Sequence, residues 1–317
     1  MHTKPNRRPH LAALMTLALM LSFLAACGGS ASTSTGPQAP VIAKDALGDA
    51  IVIPTNAPQR IISLGATDSE ILGALGVDSR VIGVDAYTDY PADLAAKTKV
   101  TDANGIPNVE AIVGMQPDLV LGFGGEVATY EKQLIQAGID VVDLPALNLD
   151  GSLTEMRLVG QLVHATQAAN ALVSSLQQQI NTITQKVANA PKVSVYMEVG
   201  YTPPPPFAFG GGSFGDELIT IAGGTNIFAG QTANGGYPQV SDETIIQANP
   251  QVIILTEDPS YGGDPAKVAS RPGWSVIAAV KDNRVFAINP DLVQRPGPRV
   301  ILALRQLAHD LHPDLFP

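Results

Sequence analysis

Residues 152–191 read SLTEMRLVGQLVHATQAANALVSSLQQQINTITQKVANAP, and this stretch decides the fold. Leu153, Met156, Val159 and Leu162 recur at helical spacing from Ser152 to about Val163. Thr166 is placed as an N-cap, and a second helix follows with Leu172, Val173, Leu176, Ile180, Ile183 and Val187 on one stripe. From Gln167 to Val187 that helix spans roughly 30 Å at 1.5 Å per residue. Pro191 ends it. A helix this long can run across the back of a small protein.

On both sides of this stretch the pattern changes to short apolar runs alternating with shorter helices. Upstream, strands are predicted at Arg60–Leu64, Val81–Val84, Leu119–Leu121 and Val141–Val142. The intervening helices fall near Thr67–Leu75, Val109–Met115 and Val127–Ala137, and a hairpin is predicted about Asp45–Asp49, flanked by Val41–Ala43 and Ile51–Ile53. Downstream, strands fall at Val193–Val199, Val252–Leu255 and Arg284–Ile288, with helices at Phe214–Ala222, Asp242–Ala248 and Pro298–Leu311. Alternation of this kind implies βαβ units and parallel sheets. The two flanks also resemble each other. Ser69–Gly76 parallels Asp216–Gly223, and Glu110 to Pro117 parallels Glu243 to Pro250 with the same spacing. The expected fold is α/β: two Rossmann-like lobes with parallel central sheets, bridged by one long helix. Such lobes leave a cleft at the carboxyl ends of their strands, where ligands bind in open sheets. The loops after Leu64, Val84, Leu121, Val199 and Leu255 are therefore candidate ligand loops.

The chain has 317 residues, 45% of them hydrophobic and 15% charged, enough to build a sizeable core. Its 19 basic residues against 29 acidic ones give −10, the wrong sign for tracking phosphates, and nucleic acid is not an expected partner. One cysteine excludes an intramolecular disulfide and a cysteine zinc cage. Lys4, Arg7 and Arg8 precede an apolar run from Leu11 to Ala26, the composition of a signal peptide. The run ends in Leu24-Ala25-Ala26-Cys27-Gly28, which looks like a bacterial lipobox with Cys27 as the lipid anchor. Two acyl chains there suffice for stable attachment. Without residues 1–26 the balance becomes 16 basic against 29 acidic, or −13. The expected organisation is a lipoprotein signal peptide over 1–26, a flexible tether over 27–40, an N-terminal lobe over 41–150, a bridging helical segment over 151–190 and a C-terminal lobe over 191–317.

Several blocks in order carry a family resemblance: RIISLGATDSEILGALGVDSRVIGVDAYTDYP (60–91), GGGSFGDELITIAGGTNIF (210–228), SDETIIQANPQVIILT (241–256), RPGWSVIAAVKDNRVFAIN (271–289) and QRPGPRVILALRQLAHDLHP (294–313). From Val41 onward the chain resembles the helical-backbone (class III) substrate-binding proteins of ABC importers that serve cobalamin, ferric siderophores and haem. That resemblance implies a lipid-anchored monomer on the outer face of the cytoplasmic membrane. It implies an ABC permease with ATPase subunits as partner and no enzyme activity. It also implies that a surface glutamate of each lobe, here Glu70 and Glu217, docks on basic permease residues; two separated carboxylates fix orientation. A helix capping box from Thr67 to Glu70 is the other reading of Glu70. The Val84–Pro91 loop is similar to that of cobalamin binders, which makes cobalamin the expected transported ligand, with haem or a ferric siderophore as the alternative. No resident cofactor or metal is expected.

Aromatic residues are only 5% of the chain, so those on candidate cleft loops are informative: Tyr87, Tyr90, Phe123, Phe207, Phe209 and Tyr237. They offer flat surfaces to a bulky macrocycle, or they pack the core. Arg295, in a proline-rich turn where the family's ligand rim lies, offers a partner for a ligand carboxylate or phosphate. Gly122–Gly125 reads as a cleft loop without the G-x-G-x-x-G spacing. A remote enzyme reading uses Gly211-Gly212-Ser213-Phe214-Gly215 as a nucleophile elbow, with Asp258 or Asp264 and His309 completing a hydrolase triad. The alternative is that Ser213 caps the helix it precedes. His309 and His312 sit three apart, a spacing that suits either a metal pair or a helix C-terminus.

Overall fold

The computed structural model describes residues 44–317, apart from 126, 146–147 and 202–203 and the side chain of Phe123. The expected signal peptide, the Cys27 anchor, the tether and strand 41–43 lie outside the described residues. The first elements are β1 (Ile61–Ser63), α1 (Ala66–Ala74), β2 (Val81–Val84), β3 (Thr98–Lys99), α2 (Val109–Gly114), β4 (Leu119–Phe123), α3 (Glu131–Gln136) and β5 (Asp140–Leu144). Their strands lie in the order β3-β2-β1-β4-β5, all parallel. The predicted hairpin is reduced to a single antiparallel bridge between Lys44 and Ala50, and Ile51–Ile53 is not a strand.

Two helices then follow, α4 (Leu149–Leu162) and α5 (Thr166–Val187). Thr166 is the first residue of α5; Ala165 precedes it as the cap and no side chain caps the end. Ala169, Val173, Leu176, Ile180, Ile183 and Val187 are the buried stripe of α5, at the spacing read from sequence. The pair packs closely because a Cβ on Gly160 would stand 2.3 Å from that of Ala169, a distance only glycine allows.

The second lobe runs through β6 (Val193–Gly200), β7 (Phe207–Ala208), α6 (Phe214–Ile221), β8 (Gly224–Asn226), α7 (Asp242–Ala248), β9 (Val252–Leu255), β10 (Val285–Ala287), α8 (Pro290–Gln294) and α9 (Val300–Leu311). Its order is β10-β9-β6-β7, with β8 also paired to β6. All pairings are parallel except β6 with β7, where the chain doubles back after the proline run.

Period-two alternation explains the packing. Ile61, Leu119 and Leu121 in the first sheet, and Val195, Met197, Val252 and Ile254 in the second, face one shared core. That core also takes in apolar residues of α4, the α5 stripe from Ala169 to Ile183, Leu218 of α6 and Leu304 of α9. The alternate residues Ile62 and Val120 join Ile112 and Leu134 on the outer face of the first sheet. Tyr196 and Ile253 join Trp274 and Ile245 on the outer face of the second. Both sheets are therefore covered on two sides, as parallel sheets require. The shared core holds the two lobes against the bridging helices and leaves the strand ends free to form a site.

Candidate functional site

A cavity of about 770 Å³ opens at the carboxyl ends of the first-lobe strands. Leu64 to Thr67 follow β1, Asp85 and Tyr87 follow β2, and Thr129 and Tyr130 follow β4. Asn104–Pro107 add backbone and amide groups, and the second lobe closes the wall with Asp291, Gln294 and Arg295. The volume falls within the ~300–1,000 Å³ of small-molecule sites. A somewhat larger groove of about 830 Å³ runs between α5 and α9, past Gln178, Lys186, Arg305 and Phe316. No strand end converges on it, so the interlobe cavity is the better ligand site.

The predicted site residues separate into groups. Tyr87 lines the cavity half-exposed, its hydroxyl donating to the Ala103 carbonyl at 3.0 Å. Arg295 also lines it but is already occupied. Its Nη1 lies 2.6 Å from Asp89 Oδ1, its Nη2 2.9 Å from Asp291 Oδ1, and Glu70 Oε1 stands 3.7 Å away. Phe209 is 1% exposed and packs against Tyr237, the ring centroids 5.5 Å apart and the planes tilted by 59°. Phe209 is therefore a core residue and not a ligand contact; just past β7, its N–H donates to the Met197 carbonyl of β6 at 3.0 Å. Phe207 and Tyr237 are partly exposed but do not line the cavity. Phe123 ends β4, and its side chain lies outside the described residues. Gly124 N–H donates to the Leu144 carbonyl, and Val127 packs onto Gly122, so the Gly124 amide is spent on holding β4 to β5.

Glu70 departs from its expected surface position. Only 2% of it is exposed, and Arg299 closes on its carboxylate, Nε to Oε2 at 2.8 Å and Nη2 to Oε1 at 2.5 Å. The other face of the Arg299 guanidinium lies over the Tyr90 ring at 4.3 Å. Burial raises the Glu70 pKa above its ordinary value, against the opposing pull of Arg299 and Arg295. The capping-box reading also fails: Gly65 precedes α1 and no side chain caps it. Glu217 is half-buried and accepts the Leu149 N–H at the start of α4, 2.8 Å away. The two repeat-related glutamates thus each hold the N-terminal end of a helix: Glu70 holds Arg299, the residue preceding α9, and Glu217 holds Leu149, the first residue of α4.

Ser213 is 4% exposed, donates its hydroxyl to the Gly210 carbonyl at 2.7 Å and accepts the Asp216 N–H at 3.2 Å. It caps α6. The surrounding glycines are steric: a Cβ on Gly211 would stand 2.0 Å from the Ala229 carbonyl oxygen. His309 bonds the Phe316 carbonyl instead of a serine. Among the described residues no converging group of three metal-ligand side chains includes a histidine.

Sequence reasoning missed Asp89, Asp291, Gln294 and Arg299. Gln294 donates to the Thr256 carbonyl at 2.9 Å and so ties the end of β9 to the cavity wall. It also missed a buried pair in the second lobe, where Arg271 Nη1 and Nη2 donate to both Glu198 oxygens at 2.7 and 2.9 Å. Tyr201 and Trp274 flank that guanidinium, with centroids at 3.7 and 4.6 Å. Burial raises the Glu198 pKa despite Arg271.

Two α/β lobes with a cavity at their strand ends define a solute-binding architecture, and comparison with known proteins agrees. Residues 61–292 match the family model described as periplasmic binding protein, and the chain belongs to that family. It is 33% identical to an uncharacterised ABC transporter substrate-binding lipoprotein, YvrC, of Bacillus subtilis, covering 96% of this chain and 97% of the relative. It is 28% identical to the vitamin B12-binding protein of Yersinia pestis, over 82% of this chain and 89% of that protein. Among solved structures it resembles a possible iron-binding protein of Staphylococcus epidermidis, with a TM-score of 0.71, 30% identity, and coverage of 81% and 100% of the two chains. A periplasmic haem-binding protein of Pseudomonas aeruginosa matches with a TM-score of 0.71, 26% identity, and coverage of 81% and 93%.

Proposed function

We propose that the protein is the extracytoplasmic, lipid-anchored substrate-binding subunit of an ABC importer, that it performs no covalent chemistry, and that its cleft captures a corrinoid of the cobalamin type. The observation that carries the ligand reading is the cavity wall. It offers the Tyr87 and Tyr130 rings, Thr67 and Thr129 hydroxyls, and Asn104 and Gln294 amides, while its arginine is spent on carboxylates. Flat apolar surface with scattered neutral donors suits a bulky ring system edged with amides. A second reading, haem, draws on the Tyr87 and Tyr130 side chains that line the cavity, since tyrosine can ligate haem iron. Delivery then follows by docking on the permease, whose ATPase subunits drive import. Glu217 is accessible for this, and Glu70 joins only by exchanging Arg299 for a basic residue of the partner.

The test is titration of the protein lacking residues 1–26 with cyanocobalamin, haem and a ferric siderophore, followed by calorimetry and by mass spectrometry of any copurifying molecule. Saturable binding of cyanocobalamin supports the reading. Binding of haem or the iron chelate in its absence reverses the ligand assignment. Replacing Cys27 with Ser in the full chain should release it from membranes, and retention there would overturn the anchor.

A further inference from the structure

The charges around the cleft are arranged to keep its arginines occupied. Among the described lining residues Arg295 is the only cation, and it meets Asp89 at 2.6 Å, Asp291 at 2.9 Å and Glu70 at 3.7 Å. Its Nη2 also donates to the Tyr87 carbonyl at 3.3 Å. Arg299, next along the rim, is closed by Glu70 on its polar edge and by Tyr90 on its face. The Lys99 ammonium donates to the Thr88 carbonyl. Asp85, buried in the wall, adds a fourth carboxylate; its oxygens accept the Tyr87 N–H and the Thr88 hydroxyl rather than a cation. Four carboxylates therefore face two guanidiniums and one ammonium, in a chain that already carries −10. A ligand carboxylate or catecholate entering here must displace Asp89 or Asp291 from Arg295 and then sit beside the displaced charge. A neutral or cationic ligand meets no such cost. Asp89 is the exposed member of the set, its side chain 57% accessible against 25% for Asp291 and 1% for Glu70; it does not line the cavity itself but holds Arg295, which does, from outside.

We propose that Asp89 is a specificity-determining residue: by holding Arg295 it makes the cleft reject ligands with free carboxylates or catecholates and accept bulky ligands that are neutral or cationic. The inference rests on the cleft being the solute site, and it adds the charge class and the residue that sets it. An uncharged corrinoid and a cationic ferric hydroxamate both belong to the accepted class.

The experiment uses four probes on the protein lacking residues 1–26: cyanocobalamin, cationic ferrioxamine B, haem and a ferric tricatecholate. The wild type should bind at least one of the first two at least tenfold more tightly than either anion. Asp89→Asn with Asp291→Asn should shift the ratio of anion to neutral or cation affinity by tenfold or more toward the anion, and added salt should reverse the gain. A second measurement needs no variant: residual haem or tricatecholate binding to the wild type should strengthen with salt as repulsion is screened, while cyanocobalamin binding stays level. A wild type that prefers an anion, or a ratio that the substitutions leave in place, overturns the role of Asp89 while the solute site stands. Failure of all four probes overturns the solute site itself and the inference with it.

Discussion

Replacing Arg271 with Met tests how the second lobe holds its strand ends. The substitution keeps a long side chain between Tyr201 and Trp274 but removes both hydrogen bonds to Glu198, whose side chain is fully buried. Glu198 keeps only the Tyr196 hydroxyl at 3.0 Å. Breaking a buried ion pair from one side costs about 3–5 kcal/mol, because the remaining charge is stranded. For a body of this size that is roughly 5–9 °C in melting temperature. Burial already holds the Glu198 pKa above its ordinary value, and losing Arg271 raises it further. The folded variant then binds a proton that the unfolded chain releases, so its stability falls as pH rises above the ordinary carboxylate value. Urea unfolding at pH 5 and pH 8 should show the larger deficit at pH 8. Adding Glu198→Gln removes the stranded charge and should recover most of the loss. A deficit below about 1 kcal/mol at pH 8, or a double variant no better than the single one, would refute the assignment of the pair as a buried, charge-paired strut.

Burial pushes Glu155 up to about 8, so it is protonated in the folded protein at neutral pH and wild-type stability should decline from about pH 4.5 to 8. Glu155→Gln should flatten that decline and raise the melting temperature at pH 8; a lower melting temperature there would contradict it. Glu70→Gln removes the charge that holds Arg299, and hydrogen exchange should accelerate at least tenfold in segments 87–90 and 295–299 with α2 unaffected. Unchanged exchange would remove the clasp as a link between lobes. Ser213→Ala should cost about 1 kcal/mol as a lost helix cap. A serine-reactive phosphonate should leave Ser213 unlabelled, and stoichiometric labelling would restore the hydrolase reading.

Much of the fold was legible because its elements carry strong local signals. Val81–Val84, Val252–Leu255 and Asp242–Ala248 have the bounds read from sequence. The last is marked at one end by Ser241, which caps it, and at the other by Asn249 in a left-handed conformation. β3, β7 and β8 escaped because two or three residues at a sheet margin show no periodicity. Thr166 was misplaced by one position because helix ends are set by hydrogen bonding as much as by residue type. Phe209 has the same local signature as Tyr87, and only the tertiary structure separates them: Phe209 is 1% exposed beside β6, while Tyr87 is 53% exposed after β2. Arg271 was passed over beside Trp274, since nothing near it in sequence announces Glu198, 73 positions earlier. The rim was least legible: Arg295 stood out, but its carboxylate partners Asp89 and Glu70 are more than 200 positions away.

The clasp between Glu70 and Arg299 joins residues 229 positions apart. During synthesis the first sheet can finish, and the bridging helices can emerge, while the Glu70 carboxylate still faces water. Closing a contact over so long an intervening segment waits until the second lobe has assembled. The cleft wall is thus among the last parts of the protein to mature. A chain stalled before Arg299 would carry an open, hydrated binding face and an ionised acid where the finished protein has a seal.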